Sequence, residues 1–201
     1  MERLGIFGGT FDPPHNGHLA LARAARDTLD LAQVLWAVAA DPPHKRGQVH
    51  TPAEVRVRMV QAAIAAEPGM ALSRVDLDRP GPHYSVDMLG LLARQYPAAE
   101  LVLLIGGDSL RDLPKWHQPH ELIRRCRLGV LQRPDVAVDL DAVEHVLPGL
   151  RERLDFIPAP PVPAASQIIR ARAAAGEPLG GLVPAGVAEL ILAEGLYRPI
   201  G

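Results

Sequence analysis

The sequence predicts an α/β protein with a doubly wound, mainly parallel sheet carrying helices on both faces. Three observations predict it. Short apolar runs alternate with helix-like segments from end to end of the 201 residues. The clearest run, ELVLLI at 100–105, is near-continuously apolar, as a strand covered on both sides must be. Glycine pairs stand directly after the first and fourth runs, at Gly8-Gly9 and Gly106-Gly107, where such sheets bind ligands.

Taken in order, RLGIF at 3–7 reads as a short buried strand that Gly8-Gly9 breaks. Residues 19–31 place Leu and Ala on one helical face, with Arg23, Arg26 and Asp27 on the other. VLWAVA at 34–39 is a second strand, and 52–66 a helix with Pro52 near its start, where a missing N–H is harmless. A third strand is expected over 70–77, then the loop DRPGPHY and a helix over 86–95 with Ser85 as its N-cap. Strands at 100–105, 128–132 and 155–158 follow, and helices at 167–175 and 185–193 complete the pattern. No internal repeat or linker divides the chain, which reads as one domain over 1–201 with its C-terminal helices (about 166–197) packed on the sheet.

Bulk properties narrow the function. Apolar residues make up 48% and charged residues 22%, the ordinary globular range. A net charge of -2 offers no general attraction to nucleic acid, though a local cluster of donors can still hold an anion. The single cysteine, Cys126, excludes an internal disulfide framework and a cysteine-rich metal site. MERLGIFGGT lacks the long apolar stretch of a signal peptide, and no run nears the roughly 20 residues that span a bilayer, so no membrane partner is expected. A soluble cytoplasmic protein is the default, and no feature decides between a monomer and a homo-oligomer.

Chemistry concentrates in GGTFDPPHNGHL at 8–19, between the first strand and the first helix. It is neither the GxGxxG dinucleotide fingerprint nor a P-loop, which would end in GK[ST]. His15 and His18 stand three apart at a helix start, so both imidazoles can face one phosphate, with Gly17 leaving space between them. Imidazole suits a phosphate oxygen that gains charge. The blander readings are surface histidines or a metal pair, for which Asp12 is the only local third ligand. Asp12 is better placed to fix the loop by accepting main-chain N–H groups. Thr10 reads equally as a phosphate-binding hydroxyl and as a turn residue.

GGTFDPPHNGHL resembles the signature of the HxGH nucleotidyltransferase superfamily, and in its Pro-Pro-His-Asn form it is similar to the bacterial nicotinate-nucleotide adenylyltransferases. PPHK at 42–45, PHYSVDML at 82–89, GGDSLRDLPKW at 106–116 and LVPAGVAELILAEGLY at 182–197 resemble that family's blocks in its order. The resemblance implies a Rossmann-like form of the doubly wound sheet, and transfer of AMP from ATP to nicotinate mononucleotide, with magnesium carried by the ATP phosphates and pyrophosphate released, in NAD biosynthesis. It implies catalytic roles for His15, His18 and Arg170, and ATP contacts from Gly8, Gly9, Thr10, Phe11, Gly106, Asp108 and Ser166. It implies that Lys45, Tyr84, Ser85 and Trp116 meet the mononucleotide, Trp116 by stacking on the pyridine ring. No dedicated metal ligand is implied.

One stretch departs from the family pattern. Where a serine–serine–threonine run usually precedes Ile-Arg, this chain has Ala164-Ala165-Ser166-Gln167-Ile168-Ile169-Arg170. Ser166 and Arg170 remain to grip phosphates, with fewer hydroxyls beside them. Bland readings stay open elsewhere: Lys45 as a solvated loop lysine, and Asp108 as an N-cap of the short helix after it. His44, His83, His117 and His120 read as plain loop residues, and Trp36 as core. Two rival functions are the same chemistry on another acceptor, such as phosphopantetheine or a cytidylyl-transfer substrate, and a regulatory nucleotide-binding module without catalysis.

Overall fold

The computed structural model describes residues 1–40, 51–132, 137–158 and 165–198. Six strands form one sheet: β1 (Glu2–Gly9), β2 (Gln33–Val38), β3 (Met70–Ser73), β4 (Ala99–Gly106), β5 (Arg127–Gln132) and β6 (Leu154–Pro158). Their order is β3-β2-β1-β4-β5-β6, and every neighbouring pair is parallel. The expected doubly wound sheet is therefore present, and it is parallel throughout these strands. From β1 the chain winds outward in one direction to β3, then returns to β4 and winds the other way. The strand order reverses between β1 and β4, which opens a crevice beyond their carboxyl ends.

The helices are α1 (Asn16–Leu29), α2 (Ala53–Ile64), α3 (Ser85–Gln95), α4 (Gly107–Asp112), α5 (Pro119–Arg125), α6 (Leu140–Val146), α7 (Ser166–Ala174) and α8 (Ala185–Ala193). They cover the two faces with two separate apolar clusters. One joins Ala22 and Ala25 of α1, Met59 and Val60 of α2, and Val187 and Ile191 of α8 to Trp36 and Val102. The other joins Leu89 and Leu92 of α3 and Leu122 of α5 to Ile6, Leu35, Leu103 and Leu128. Alternation along β1 sends Ile6 to one cluster and Phe7 to the other, as a period of two requires. Trp36 is fully buried, as the sequence reading expects, and its indole N–H points at Met70 Sδ at 3.4 Å.

Several boundaries differ from the sequence reading for identifiable reasons. The first helix starts at Asn16 rather than residue 19, because His15 caps it. The third strand stops at Ser73 rather than 77. Leu77 and Asp78 donate main-chain bonds back to the Arg74 carbonyl, which turns the chain away once pairing with β2 ends at Ala37↔Ser73. Ser85 is not an N-cap: Tyr84 holds that position, makes no side-chain cap bond, and leaves Ser85 as the first residue of α3. Asp108 likewise is not the cap of α4, since Gly106 is, and Asp108 lies inside the first turn. Helices α5 and α6 escaped the reading. α5 nevertheless carries a proline at its start, Glu121 in its first turn and Arg124 and Arg125 in its last.

Candidate active site

The crevice between β1 and β4 is floored by their terminal glycines. A Cβ at Gly8 or at Gly106 would meet nothing within 4 Å, so both strand ends face open space. Gly9 differs: a Cβ there would lie 2.8 Å from the Phe11 ring, so the close approach of that ring requires glycine. Phe11 turns inward at φ 50 and is only 2% exposed, packed edge-on to Phe7 and tilted on Trp36. Any ligand contact by Phe11 therefore falls to its main chain. Its ring instead supports the edge of His18, with centroids 5.2 Å apart.

His15 and His18 form a reciprocal cap at the start of α1. The His18 main-chain N–H donates to Nδ1 of His15, and the His15 main-chain N–H donates to Nδ1 of His18, both at 3.2 Å. This is a capping box built from two imidazoles in place of the usual hydroxyl and carboxylate. The rings stack, with centroids 3.6 Å apart and planes 25° apart. Because each Nδ1 accepts a hydrogen bond, each neutral ring carries its proton on Nε2. The pair is thus set up as two Nε2–H donors beside the positive end of a helix, an arrangement suited to an anion.

The loop before this cap is tied to the C-terminal part of the chain. Arg170 of α7 donates through Nη1 to the Asp12 carbonyl at 2.7 Å, and the Ser166 hydroxyl donates to the Pro13 carbonyl at 3.0 Å. Asn16, between the two histidines, donates its amide to Gly181 O at 2.9 Å and its main-chain N–H to Leu182 O. The Ser166 hydroxyl proton is thus engaged by Pro13. The Asp12 carboxylate accepts from main-chain N–H of Thr51, the kind of loop-fixing bond the sequence reading expects, and also from Tyr197 Oη at 2.7 Å.

Sequence reasoning missed Arg56. It lies in the first turn of α2, is 2% exposed, and its guanidinium donates to the carbonyls of Thr51, Thr10, Ala39 and Ala40. One planar fork therefore gathers the chain at the carboxyl ends of β1 and β2 and at the start of α2. Its only sequence signal is an arginine on the apolar face of a helix beside Val57, Met59 and Val60. Tyr197 was read only as part of a C-terminal block, with nothing in its spacing to link it to Asp12.

A cavity of about 540 Å³ lies beside α4, lined by Tyr84, Ser85, Asp108, Trp116 and His117 among others. It brings Tyr84, Ser85, Asp108 and Trp116 together, although they come from two distant segments. Trp116 is half-buried against the α3–α5 cluster with part of its ring on the cavity. His117, read as a plain loop residue, stacks on Tyr84 with centroids 4.0 Å apart. Asp108 pairs with Arg111 at 3.4 Å on the rim. Lys45 and the rest of PPHK lie outside the described residues.

A parallel sheet reversing at β1/β4, with a histidine-capped helix on the crevice, places the chain in the nucleotidyltransferase class. It belongs to the cytidylyltransferase-like family, which it matches over residues 6–172. Within that class it belongs with the nicotinate-nucleotide adenylyltransferases. It is 46% identical over 200 residues to a probable nicotinate-nucleotide adenylyltransferase of Thermomicrobium roseum, covering 100% of this chain and 94% of the relative. The corresponding protein of Gloeobacter violaceus is 47% identical over 201 residues, covering 98% and 96%. The fold matches that of Plasmodium falciparum nicotinic acid mononucleotide adenylyltransferase complexed with NaAD. The TM-score is 0.77 at 15% identity, over 98% of each chain.

Proposed function

We propose that the chain transfers the adenylyl group of ATP to the phosphate of nicotinate mononucleotide, giving nicotinate adenine dinucleotide and pyrophosphate. The observation that carries this reading is the stacked His15–His18 pair at the head of α1, set on the same sheet edge as the Tyr84–Trp116 cavity. An oxygen of the mononucleotide phosphate attacks the α-phosphorus of ATP, and the bond from that phosphorus to the bridging oxygen of pyrophosphate breaks. No enzyme nucleophile is needed. The protein's task is to align two anions and to stabilise charge on the departing group.

The two Nε2–H groups and the N-terminus of α1 donate to the phosphates between which charge moves. Arg170 adds a cation from α7, while Gly8, Gly9, Thr10 and Gly106 let the nucleotide approach the strand ends. Trp116 stacks on the pyridine ring, and the main-chain N–H groups at the start of α3 receive its carboxylate. Lys45 meets the mononucleotide phosphate.

Magnesium accompanies ATP, held by phosphate oxygens and water as a hard cation prefers. Among the described residues no group of three His, Cys, Asp or Glu could hold an ion, and in this reading the ATP phosphates supply the oxygen ligands. When bound, magnesium supplies positive charge to the triphosphate. Among the described residues no helix is long and apolar enough to cross a membrane. Pyrophosphate release with ATP and a panel of mononucleotides tests the proposal. Nicotinate mononucleotide is expected to be the preferred acceptor, with turnover lost on chelation of magnesium. Preference for phosphopantetheine or for CTP, or no turnover with any acceptor, overturns it.

A further inference from the structure

Asp12 carries a carboxylate in a residue only 5% exposed, a costly place for a charge unless its oxygens are satisfied. Tyr197 donates to Oδ1 at 2.7 Å, and the main-chain N–H of Thr51 donates to Oδ2 at 3.1 Å. Burial pushes this carboxyl up, but the bonds from Thr51 and Tyr197 and the nearby Arg170 charge outweigh it and hold the group below its usual value. Arg170 is near enough to feel the carboxylate, yet its hydrogen bond to Asp12 goes to the main-chain carbonyl. A carboxylate beside a guanidinium ordinarily takes the bidentate fork, which would neutralise the arginine. Tyr197 reaches its place from the C-terminal segment at φ 67, an uncommon conformation for an aromatic residue, so the surrounding structure holds it there.

We infer that Tyr197 is a positioning residue of the adenylyl-transfer site. Together with Thr51 it occupies the Asp12 carboxylate, keeps that carboxylate from closing on Arg170, and leaves the remaining guanidinium N–H groups to the ATP phosphates. The inference rests on the function proposed above.

Steady-state pyrophosphate release with ATP and nicotinate mononucleotide tests it on four proteins: wild type, Tyr197→Phe, Asp12→Asn and the double variant. Tyr197→Phe keeps the ring and removes one donor. It is expected to lower kcat/KM for ATP by roughly tenfold or more, the scale of one charged hydrogen bond, with KM for the mononucleotide little changed. Adding Asp12→Asn should restore part of that loss, since an amide cannot neutralise Arg170. A purely structural tyrosine would show no such recovery. Wild-type kcat/KM for ATP in Tyr197→Phe, or a double variant no more active than Tyr197→Phe, overturns the inference. If Tyr197→Phe melts below the assay temperature, Asp12→Asn alone decides: near-wild-type kcat/KM for ATP supports the inference and a tenfold loss overturns it. An inactive wild type instead defeats the proposed function.

Discussion

His15 and His18 cap one another: each Nδ1 accepts the other's main-chain N–H at 3.2 Å, and the rings lie 3.6 Å apart. Helix capping therefore occupies Nδ1 of both rings and leaves each Nε2 to the phosphate binding proposed above. The roles separate by substitution. Ser at position 15 still offers an oxygen to the His18 N–H, so His15→Ser should cost well under about 1 kcal/mol of stability. The Nε2–H donor is lost, and kcat should fall by roughly 100-fold or more. Thermal melting and turnover on the same preparation check the split; parallel losses would mean the ring serves the helix only.

In the proposed reaction Trp116 serves one substrate alone. Trp116→Ala removes the flat surface assigned to the pyridine ring. KM for nicotinate mononucleotide should rise by about 10-fold or more, with KM for ATP nearly unchanged. The wild type should also reject nicotinamide mononucleotide strongly, because the main-chain donors assigned above to the carboxylate would be poorly paired by the amide. Competing the two mononucleotides for one enzyme measures the ratio directly.

Arg56 serves the scaffold. Its guanidinium satisfies four carbonyls from the three chain segments that meet at the crevice, and a lysine has no fork to do so. Arg56→Met should destabilise the protein by about 3 kcal/mol or more, since buried carbonyls lose a charged donor. Arg56→Lys should fall between. Urea denaturation midpoints read both, and a change below about 1 kcal/mol for Arg56→Met would show that water takes over the carbonyls.

At the opposite edge of the sheet, Asp155 at the start of β6 joins two other strands. It accepts from Arg3 of β1 at 2.8 Å and from Nε and Nη2 of Arg127 of β5 at 2.7 and 2.8 Å. Arg127 foremost, against the opposing effect of burial, holds this carboxyl below its usual 3.8. A depressed carboxyl contributes stability that is complete above the unfolded-state pKa and is lost as pH falls through the folded value. Asp155→Asn should therefore cost about 1–2 kcal/mol at pH 7, a gap that narrows below pH 3.8. Denaturant unfolding of both proteins at neutral and acid pH checks the sign.

Much of this was legible in the sequence because it is written in local patterns. Apolar runs with glycine pairs after them place the strands and the crevice, and His15-Asn16-Gly17-His18 marks the head of α1, where the proposed chemistry lies. What escaped reading depends on contacts between distant segments. Nothing near Arg56 says that its guanidinium closes over the ends of two strands and the start of its own helix, and nothing near Tyr197 points to Asp12. The burial of the Phe11 ring was hidden for a related reason: a left-handed turn after Gly9 aims that side chain into the core, which leaves its main chain for the expected ATP contact. Ser85 misled by type alone, since serine is a good cap but the chain enters α3 one residue earlier.

The bond between Tyr197 and Asp12 spans 185 residues of sequence, and β1 finds its partner β4 only after the chain has gone out to β3 and back. A ribosome thus delivers the histidine segment near the beginning, while the strand that floors the crevice and the tyrosine that steadies its arginine come far later. The earliest part of the site to be made is the last to become functional. In refolding, recovery of turnover should consequently trail the burial of Trp36 between β1 and β3, because competence waits on the most distant closures of the chain.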